Sequence, residues 1–257
     1  MSADSYFIRT GPRTFRPTQH AVGAWSAEDH HFSPLAGLMV HVLEQARGDS
    51  PLQLGRISFD ILGRIAFTEV EITVDVIRPG RTIELVEVTL TIAGRSVIRA
   101  RAWYLLASDI SSEEATHLST LDAPEKCPPR NILDIWGGGF MEQLEARQAA
   151  PVEPGRGATW LTSPTILVHG EEQIPVAEYC ALIDTANGLA VRKDPREWAF
   201  PNVDLTVHFF RLPEGRWAGM DISVDWGATG MGITSSVLHD IHGPVGRASQ
   251  CVTIRQP

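Results

Sequence analysis

The feature that most constrains the fold of this chain is a pattern that occurs twice. In each half a helix with one apolar face precedes long stretches in which apolar and polar residues alternate, with turns rich in glycine and proline between them. The helices open at Pro34 and Pro175, and alternating stretches cover residues 70–76 and 203–209. Proline suits the first turn of a helix, and a period of two residues is typical of a strand with one buried face. We therefore predict two copies of one unit, each an antiparallel sheet wrapped around a helix.

Short motifs relate the two copies to each other. The turn Arg78-Pro79-Gly80-Arg81 is similar to the segment 211–216, and Val97–Ala100 is similar to Val245–Ala248. Each half then has the order helix, strand, arginine-containing turn, strand, strand. Chance similarity between two β-rich stretches is the alternative, but the matching order of the motifs favours a duplication.

Between the two copies the composition changes. Residues 111–156 are rich in proline, glycine and acidic residues, which is typical of a connection between domains. We expect an N-terminal unit at 1–110, a linker at 111–156 with a short helix near 140–148, and a C-terminal unit at 157–257.

The charge balance excludes one large class of partner. The chain of 257 residues has 22 Lys and Arg against 31 Asp and Glu, which gives a net charge of −9. Nucleic-acid binding requires a basic surface, so we expect no nucleic-acid partner. An anionic ligand would have to be bound by a local cluster of arginines.

No segment indicates export, a membrane span or a bound metal. Residues 1–16 contain no apolar run of signal-peptide type, and no later segment is long enough to span a bilayer, so we expect a cytoplasmic protein. Cys127, Cys180 and Cys251 lie far apart, which predicts neither a disulfide framework nor a zinc site. The glycine patterns of dinucleotide and P-loop sites are missing, as is the G-x-S-x-G turn of serine hydrolases.

Asp184 is the acidic residue that the pattern singles out. Helical spacing places it on one stripe with Ala177, Ala181 and Gly188, small residues against which another backbone could pack closely. A carboxylate on such a packed face needs partners, because burying a lone charge is costly. The alternative is a carboxylate at the helix edge that reaches solvent or caps the helix end.

Two amide side chains are further candidates. Gln250 lies in the last strand, where the first copy has Ala102, and Asn202 precedes the strand at 203–209. Each also has an ordinary interpretation, since Gln250 could face outward and Asn202 could be a turn residue after Pro201.

Several motifs resemble those of the type II acyl-CoA thioesterases with a double hot-dog fold, particularly the actinobacterial thioesterase-like branch. The resemblance covers nearly the whole chain, and the motifs occur in the same order. They are Arg13–Ala21 with Gly23–Trp25, Val76–Arg81 and Ala100–Trp103 in the first half, and Asp184–Gly188, Phe200–His208 and Gly246–Gln250 in the second. The fold that the resemblance implies is α+β, with two tandem hot-dog units that each wrap an antiparallel sheet around a central helix.

The resemblance also implies an activity and a site. Members of the family hydrolyse a fatty acyl-CoA to the free acid and CoA without a cofactor. They use an Asp on the second helix, a Thr at the start of the following strand and a Gln near the C-terminus. In this chain these positions are Asp184, Asn202 and Gln250, with Asn in place of Thr. We accordingly predict that Asp184 accepts a proton from water, that the two amides hold this water, and that a backbone N–H at a helix start binds the oxyanion.

The phosphates of CoA would require arginines. Arg78 and Arg81 in the first half and Arg211 and Arg216 in the second are the candidates, because they lie in the two similar turns. The alternative is that these side chains pair with surface carboxylates.

Two other functions are compatible with the sequence, and a homo-oligomer is expected. A protein that binds acyl-CoA or another lipid without hydrolysing it is one alternative, motivated by Asn202. A hydratase is the other, and it ranks lower because such enzymes pair an Asp with a nearby His, whereas no His lies close to Asp184 in the sequence. Hot-dog sheets commonly pair edge to edge, so a homo-oligomer, a dimer or larger, is also expected.

Overall fold

A computed structural model describes residues 4–256, which form thirteen strands and three α-helices. In the first half β1 (Ser5–Arg9) and β2 (Thr14–Pro17) precede α1 (Phe32–Arg47). The helix α1 is followed by β3 (Leu52–Ile61), β4 (Val70–Arg78), β5 (Ile83–Ile92) and β6 (Arg95–Leu106). In the second half β7 (Glu145–Glu153), β8 (Arg156–Thr162) and β9 (Ile166–Val168) precede α2 (Pro175–Ile183) and α3 (Ala186–Leu189). The last four strands are β10 (Asp204–Phe209), β11 (Ala218–Trp226), β12 (Met231–Asp240) and β13 (Gly243–Thr253).

The strands form one continuous sheet in the order β7-β8-β11-β12-β13-β10-β3-β6-β5-β4-β2-β1-β9. The two halves join where β3 and β10 pair antiparallel, with Ser58 opposite Thr206. The helices α1 and α2 pack against each other, and their buried side chains form one core with those of the sheet. The predicted α+β double hot-dog is confirmed.

The register of the strands shows the duplication directly. Ser58 pairs with Arg101 in the first half, and Thr206 pairs with Ser249 in the second. Each residue of the second pair therefore lies 148 positions after its counterpart in the first, 206 after 58 and 249 after 101. The same shift relates the pair Val86–Ala102 to the pair Thr234–Gln250. Gln250 therefore occupies the place of Ala102, as the motifs predict.

The predicted equivalence of the two arginine-containing turns is wrong. Residues 78–81 connect β4 to β5, and the shift of 148 residues places their counterpart at 226–229, between β11 and β12. The segment 211–216 follows β10, which is the counterpart of β3 and not of β4. A two-residue period recurs in every strand of such a sheet, so the period alone does not tell one strand from the next.

The two helices approach each other closely at a glycine. A Cβ added to Gly37 of α1 would lie 2.6 Å from the Cβ of Ala181 and 2.8 Å from the carbonyl oxygen of Ala177. The stripe of small residues on α2 therefore packs against another backbone, as its spacing predicts. The helix itself is shorter than expected, because α2 ends at Ile183 and the turn at Asp184 and Thr185 separates it from α3.

We expect Gly37→Ala to lower the free energy of unfolding by about 1–3 kcal/mol, because the added methyl group would force the helices apart. This loss outweighs the helix propensity of alanine, which favours it over glycine by about 1 kcal/mol. Urea unfolding measures the change. Gly137→Ala is the control, since a Cβ at Gly137 would meet no atom within 4 Å. Equal stability of Gly37→Ala and wild type would contradict the close packing.

The short helix predicted near 140–148 is wrong. That stretch contains a single 3₁₀ turn, Met141–Gln143, and then enters β7, which pairs with β8 at the edge of the second half. Glu145 and Arg147 lie on either side of the buried Ala146, and this alternation fits the period of a strand. Charged residues two positions apart can occur in an exposed helix or in an edge strand, so the sequence alone did not distinguish the helix from the strand.

No helix within residues 4–256 combines the length and apolar character that crossing a membrane would require.

Candidate active site

Asp184 lies at the centre of a polar cluster in the second half of the molecule. It directly follows α2, and only 8% of its surface is exposed. Its Oδ1 atom accepts one hydrogen bond from Nδ2 of Asn202 and another from Nε2 of Gln250, each 2.8 Å long. The structure thus brings together the three residues predicted to be catalytic, and it excludes the alternative of a solvated carboxylate at the helix edge.

The strands and α3 fix the positions of the two amides. Gln250 lies on the buried face of β13 and is only 1% exposed. It also donates a hydrogen bond to the carbonyl oxygen of Asp184 at 3.2 Å. Asn202 lies two residues before β10 and donates a second hydrogen bond to the carbonyl oxygen of Asp204 at 2.9 Å. In α3, Asn187 donates to the carbonyl oxygen of Phe200, which holds the segment leading to Asn202. Each group that contacts Asp184 is therefore anchored to a regular element.

The environment of Asp184 changes its acidity. Burial raises the pKa of this carboxyl to about 6, although the hydrogen bonds from Asn202 and Gln250 act in the opposite direction. Among the described residues none donates a hydrogen bond to Oδ2. Asp184 is thus ionised at neutral pH, with one oxygen held by amides and the other available to accept a proton.

Two pockets of unequal size meet at Asp184. The larger has a volume of about 480 Å³ and the smaller about 50 Å³. Five residues line both pockets, namely Ala24, Trp25, His31, Asp184 and Asn202. The larger pocket continues along Ile61 and Ile65, while the smaller one is bounded by Trp136 and Met141. A substrate could extend from Asp184 into both.

His31 is a residue of this site that the sequence analysis missed. It directly precedes α1 and lies in the first half, yet it lines both pockets beside Asp184 of the second half. Its Nδ1 atom accepts a hydrogen bond from the backbone N–H of Ser33 at 3.1 Å. Burial lowers the pKa of His31 to about 3, so the ring is neutral and its proton resides on Nε2. The one sequence feature that could have indicated His31 is its position directly before the helix that contains Pro34.

The four predicted substrate-binding arginines do not line either pocket at Asp184. Arg211 forms a bidentate ion pair with the buried Asp240, with N–O distances of 2.5 and 2.6 Å. This ion pair occupies the guanidinium group of Arg211. Arg78 donates to the carbonyl oxygen of Ile83 within its own turn, Arg81 is exposed, and Arg216 lies beside a different pocket.

Arg64 and Arg255 line the larger pocket instead. Arg64 follows β3 and forms ion pairs with Glu28 and Asp29, at 2.8 and 2.6 Å. Arg255 is exposed near the C-terminus, where its Nη1 donates to the hydroxyl group of Thr253 at 3.4 Å. Neither arginine belongs to a repeated motif, so the sequence carried no signal for them.

The two halves of the chain match the two domains of one protein family. Residues 21–105 match the acyl-CoA thioesterase N-terminal domain, and residues 124–254 match the acyl-CoA thioesterase C-terminal domain. The chain belongs to the acyl-CoA thioesterase family. His31 lies in the N-terminal match and the cluster around Asp184 in the C-terminal match, so the site of this thioesterase homologue is built from both domains. The comparison with curated proteins found no match to the chain.

Several solved structures share this fold. A hot-dog protein from Alicyclobacillus acidocaldarius has a TM-score of 0.77 at 14% identity, over 99% of this chain and 97% of that chain. The acyl-CoA thioesterase II TesB2 from Mycobacterium marinum has a TM-score of 0.66 at 17% identity, over 98% and 96%. The tesB protein from Mycobacterium avium subs. paratuberculosis has a TM-score of 0.63 at 16% identity, over 97% and 96%. At these identities the likeness shows the double hot-dog fold.

Proposed function

We propose that the protein hydrolyses the thioester of an acyl-CoA with a water molecule activated by Asp184. The observation that carries the proposal is the carboxylate of Asp184, which is buried, has a raised pKa and is held by two amide donors at the junction of two pockets. A general base works best when its pKa lies near the working pH, and burial provides this shift. Membership of the acyl-CoA thioesterase family supports the choice of substrate.

The reaction needs a proton acceptor and a binding site for the oxyanion. Oδ2 of Asp184 accepts a proton as the oxygen of water bonds to the carbonyl carbon, and a tetrahedral oxyanion forms. The carbon–sulfur bond then breaks, the carbonyl re-forms, and the CoA sulfur leaves with the proton that Asp184 took from water. The products are the free acid and CoA. No acyl group is attached to the protein at any stage.

The start of α1 is the best place for the oxyanion. The first N–H groups of a helix have no acceptor within the helix, and the positive end of its dipole favours an anion. His31 and Phe32 at this helix end line the larger pocket. The Nε2–H group of neutral His31 and the backbone N–H group of Phe32 would donate to the oxyanion, because Ser33 already donates to His31 and Pro34 has no N–H.

Asn202 suits hydrolysis in spite of its difference from the Thr of related enzymes. It donates to Oδ1 of Asp184 at 2.8 Å, so an amide supplies the donor that a hydroxyl group could supply there. The feature that motivated a binding protein without activity is therefore weaker in the structure than in the sequence.

The structure brings a His to the pockets that Asp184 lines. No His lies close to Asp184 in the sequence, but His31 reaches the same pockets from the other half of the molecule. A hydratase would use such a pair to add water across a carbon–carbon double bond. Family membership nevertheless favours hydrolysis, and the two reactions are separated by their products.

Release of free CoA thiol from a series of saturated acyl-CoAs tests the proposed function. Steady turnover, with one acid formed for each thiol released, would support it. Acyl-CoA that stays bound and intact would support a binding protein. Hydration of a 2-enoyl-CoA without release of thiol would support a hydratase.

The pH dependence of kcat/KM should show the ionisation of Asp184. Because only the carboxylate accepts a proton, we expect kcat/KM to fall by about tenfold for each pH unit below the pKa and to level off above it. The midpoint should lie near the pKa of about 6. Loss of thioester absorbance follows the reaction over the whole range without a thiol reagent. A rate that does not change through this range would rule out Asp184 as the base.

A further inference from the structure

The two pockets at Asp184 differ in charge as well as in size. The larger pocket is lined by Arg255 and by Arg64 with its ion-pair partner Asp29, whereas the lining of the smaller one contains no arginine or lysine and no charged side chain except Asp184 itself. CoA carries phosphates and the acyl group of a simple thioester carries none. Arginine is suited to phosphate, so the CoA portion fits the larger pocket.

The acyl group is then left with the smaller pocket. Because Asp184 and Asn202 line both spaces, the reacting carbonyl must lie at their junction, with the sulfur on one side and the acyl chain on the other. A volume of about 50 Å³ is about a tenth of that of the larger pocket. A short acyl chain therefore fits this space better than a long one.

The wall of the smaller pocket is held in place by its neighbours. Trp136 donates from Nε1 to the carbonyl oxygen of Gly188 at 2.8 Å, and its ring packs edge-on against Trp25 and Phe200, with centroids 4.8 and 5.9 Å away. Gly188 permits this approach, because a Cβ there would lie 2.9 Å from Nε1 of Trp136. Met141 is 3% exposed and forms another part of the wall.

We infer that the preferred substrates are short-chain acyl-CoAs, and that Trp136 and Met141 set this limit. The inference rests on the proposed function and narrows its substrate class. Met141 is the more adaptable of the two residues, since its unbranched side chain makes no hydrogen bond that the wall requires. Shortening it should lengthen the space available to the acyl chain without disturbing the hydrogen bond of Trp136.

A chain-length profile of kcat/KM tests the inference, with acetyl-, propionyl-, butyryl-, hexanoyl- and decanoyl-CoA as substrates. For wild type we expect a maximum among the first three and a loss of at least about tenfold at decanoyl-CoA. Met141→Ala should move the maximum to a longer chain. Met231→Ala is the matched control, because Met231 is 67% exposed and lies outside the site, so its profile should equal that of wild type. Trp136→Phe is a second variant that removes only part of the ring system.

The outcomes separate this inference from the proposed function. Wild-type hydrolysis of decanoyl-CoA as efficient as that of propionyl-CoA would overturn the limit on chain length and leave the thioesterase activity established. Failure to hydrolyse any of the five substrates would overturn the proposed function itself. A short-chain profile that is unchanged in folded Met141→Ala and Trp136→Phe proteins would overturn the assignment of the wall.

Discussion

Asp184→Asn is expected to reduce kcat/KM by about 10³-fold, because an amide cannot accept the proton of water. The substitution keeps the size of the side chain and a carbonyl oxygen. Asn202 and Gln250 can therefore still donate to that oxygen, as they do to Oδ1 of Asp184 at 2.8 Å. The loss would then report on proton transfer and not on the shape of the site.

The same variant is expected to be more stable than wild type at neutral and alkaline pH. Burial raises the pKa of Asp184 in the folded protein to about 6, from an ordinary value of 3.8. The folded state then binds the proton more tightly than the unfolded state, so ionisation costs stability as pH rises from about 4 to 6, and the full cost persists above that range. Asparagine removes this cost, which amounts to at most about 3 kcal/mol. Below about pH 4 both states bind the proton and the gain should vanish.

Urea unfolding near pH 8 and pH 4, together with thiol release, measures both effects. Asp75→Asn is the control, because Asp75 is exposed on β4 and the same chemical change there should alter neither activity nor the pH dependence of stability. A folded Asp184→Asn protein with wild-type activity would refute the role of Asp184 as base. A variant that loses both activity and stability would instead indicate that the carboxylate serves mainly to hold the fold together.

The sequence predicted the repeated architecture because that architecture depends on local patterns. Alternation over 70–76 marked β4, and Pro34 marked the start of α1. Such signals fail where two structures share a pattern. The charged residues near Glu145 suit a water-facing helix or an edge strand, and pairing with β8 decides for the strand.

The candidate site was predicted in part for a similar reason. Asp184 and Gln250 were visible because one lies on a stripe of small residues and the other replaces Ala102 of the sister copy. His31 reaches the same pockets only through the packing of the two halves, and Arg255 reaches the larger pocket through a bridge to Ala199 within its own half. Distances between residues so far apart in the chain are set by the fold, and one sequence contains no record of them. The resemblance to a family supplied the catalytic roles, but it did not supply these neighbours.

Gln250→Ala is expected to lower kcat/KM by about 10²-fold, because the carboxylate of Asp184 loses a donor that fixes its position. Nε2 of Gln250 contacts both Oδ1 and the backbone oxygen of Asp184. Its hydrogen bond to Oδ1 lowers the pKa of Asp184, so its loss should move the midpoint of the pH profile upward from about 6. A purely structural role for Gln250 would not predict this second effect.

The fold should tolerate the substitution, because the counterpart of Gln250 in the first half is Ala102, which is fully buried in the equivalent strand pairing. The Oε1 atom of Gln250 is buried and has no hydrogen-bond partner among the described residues, so removing it offsets part of the cost of the space left behind. The pH profile of kcat/KM for this variant is compared with that of Gln53→Ala, which alters an exposed glutamine of β3. A reduced rate with an unshifted midpoint would mean that Gln250 positions the carboxylate without changing its pKa. A folded variant with wild-type rate and midpoint would remove Gln250 from the site.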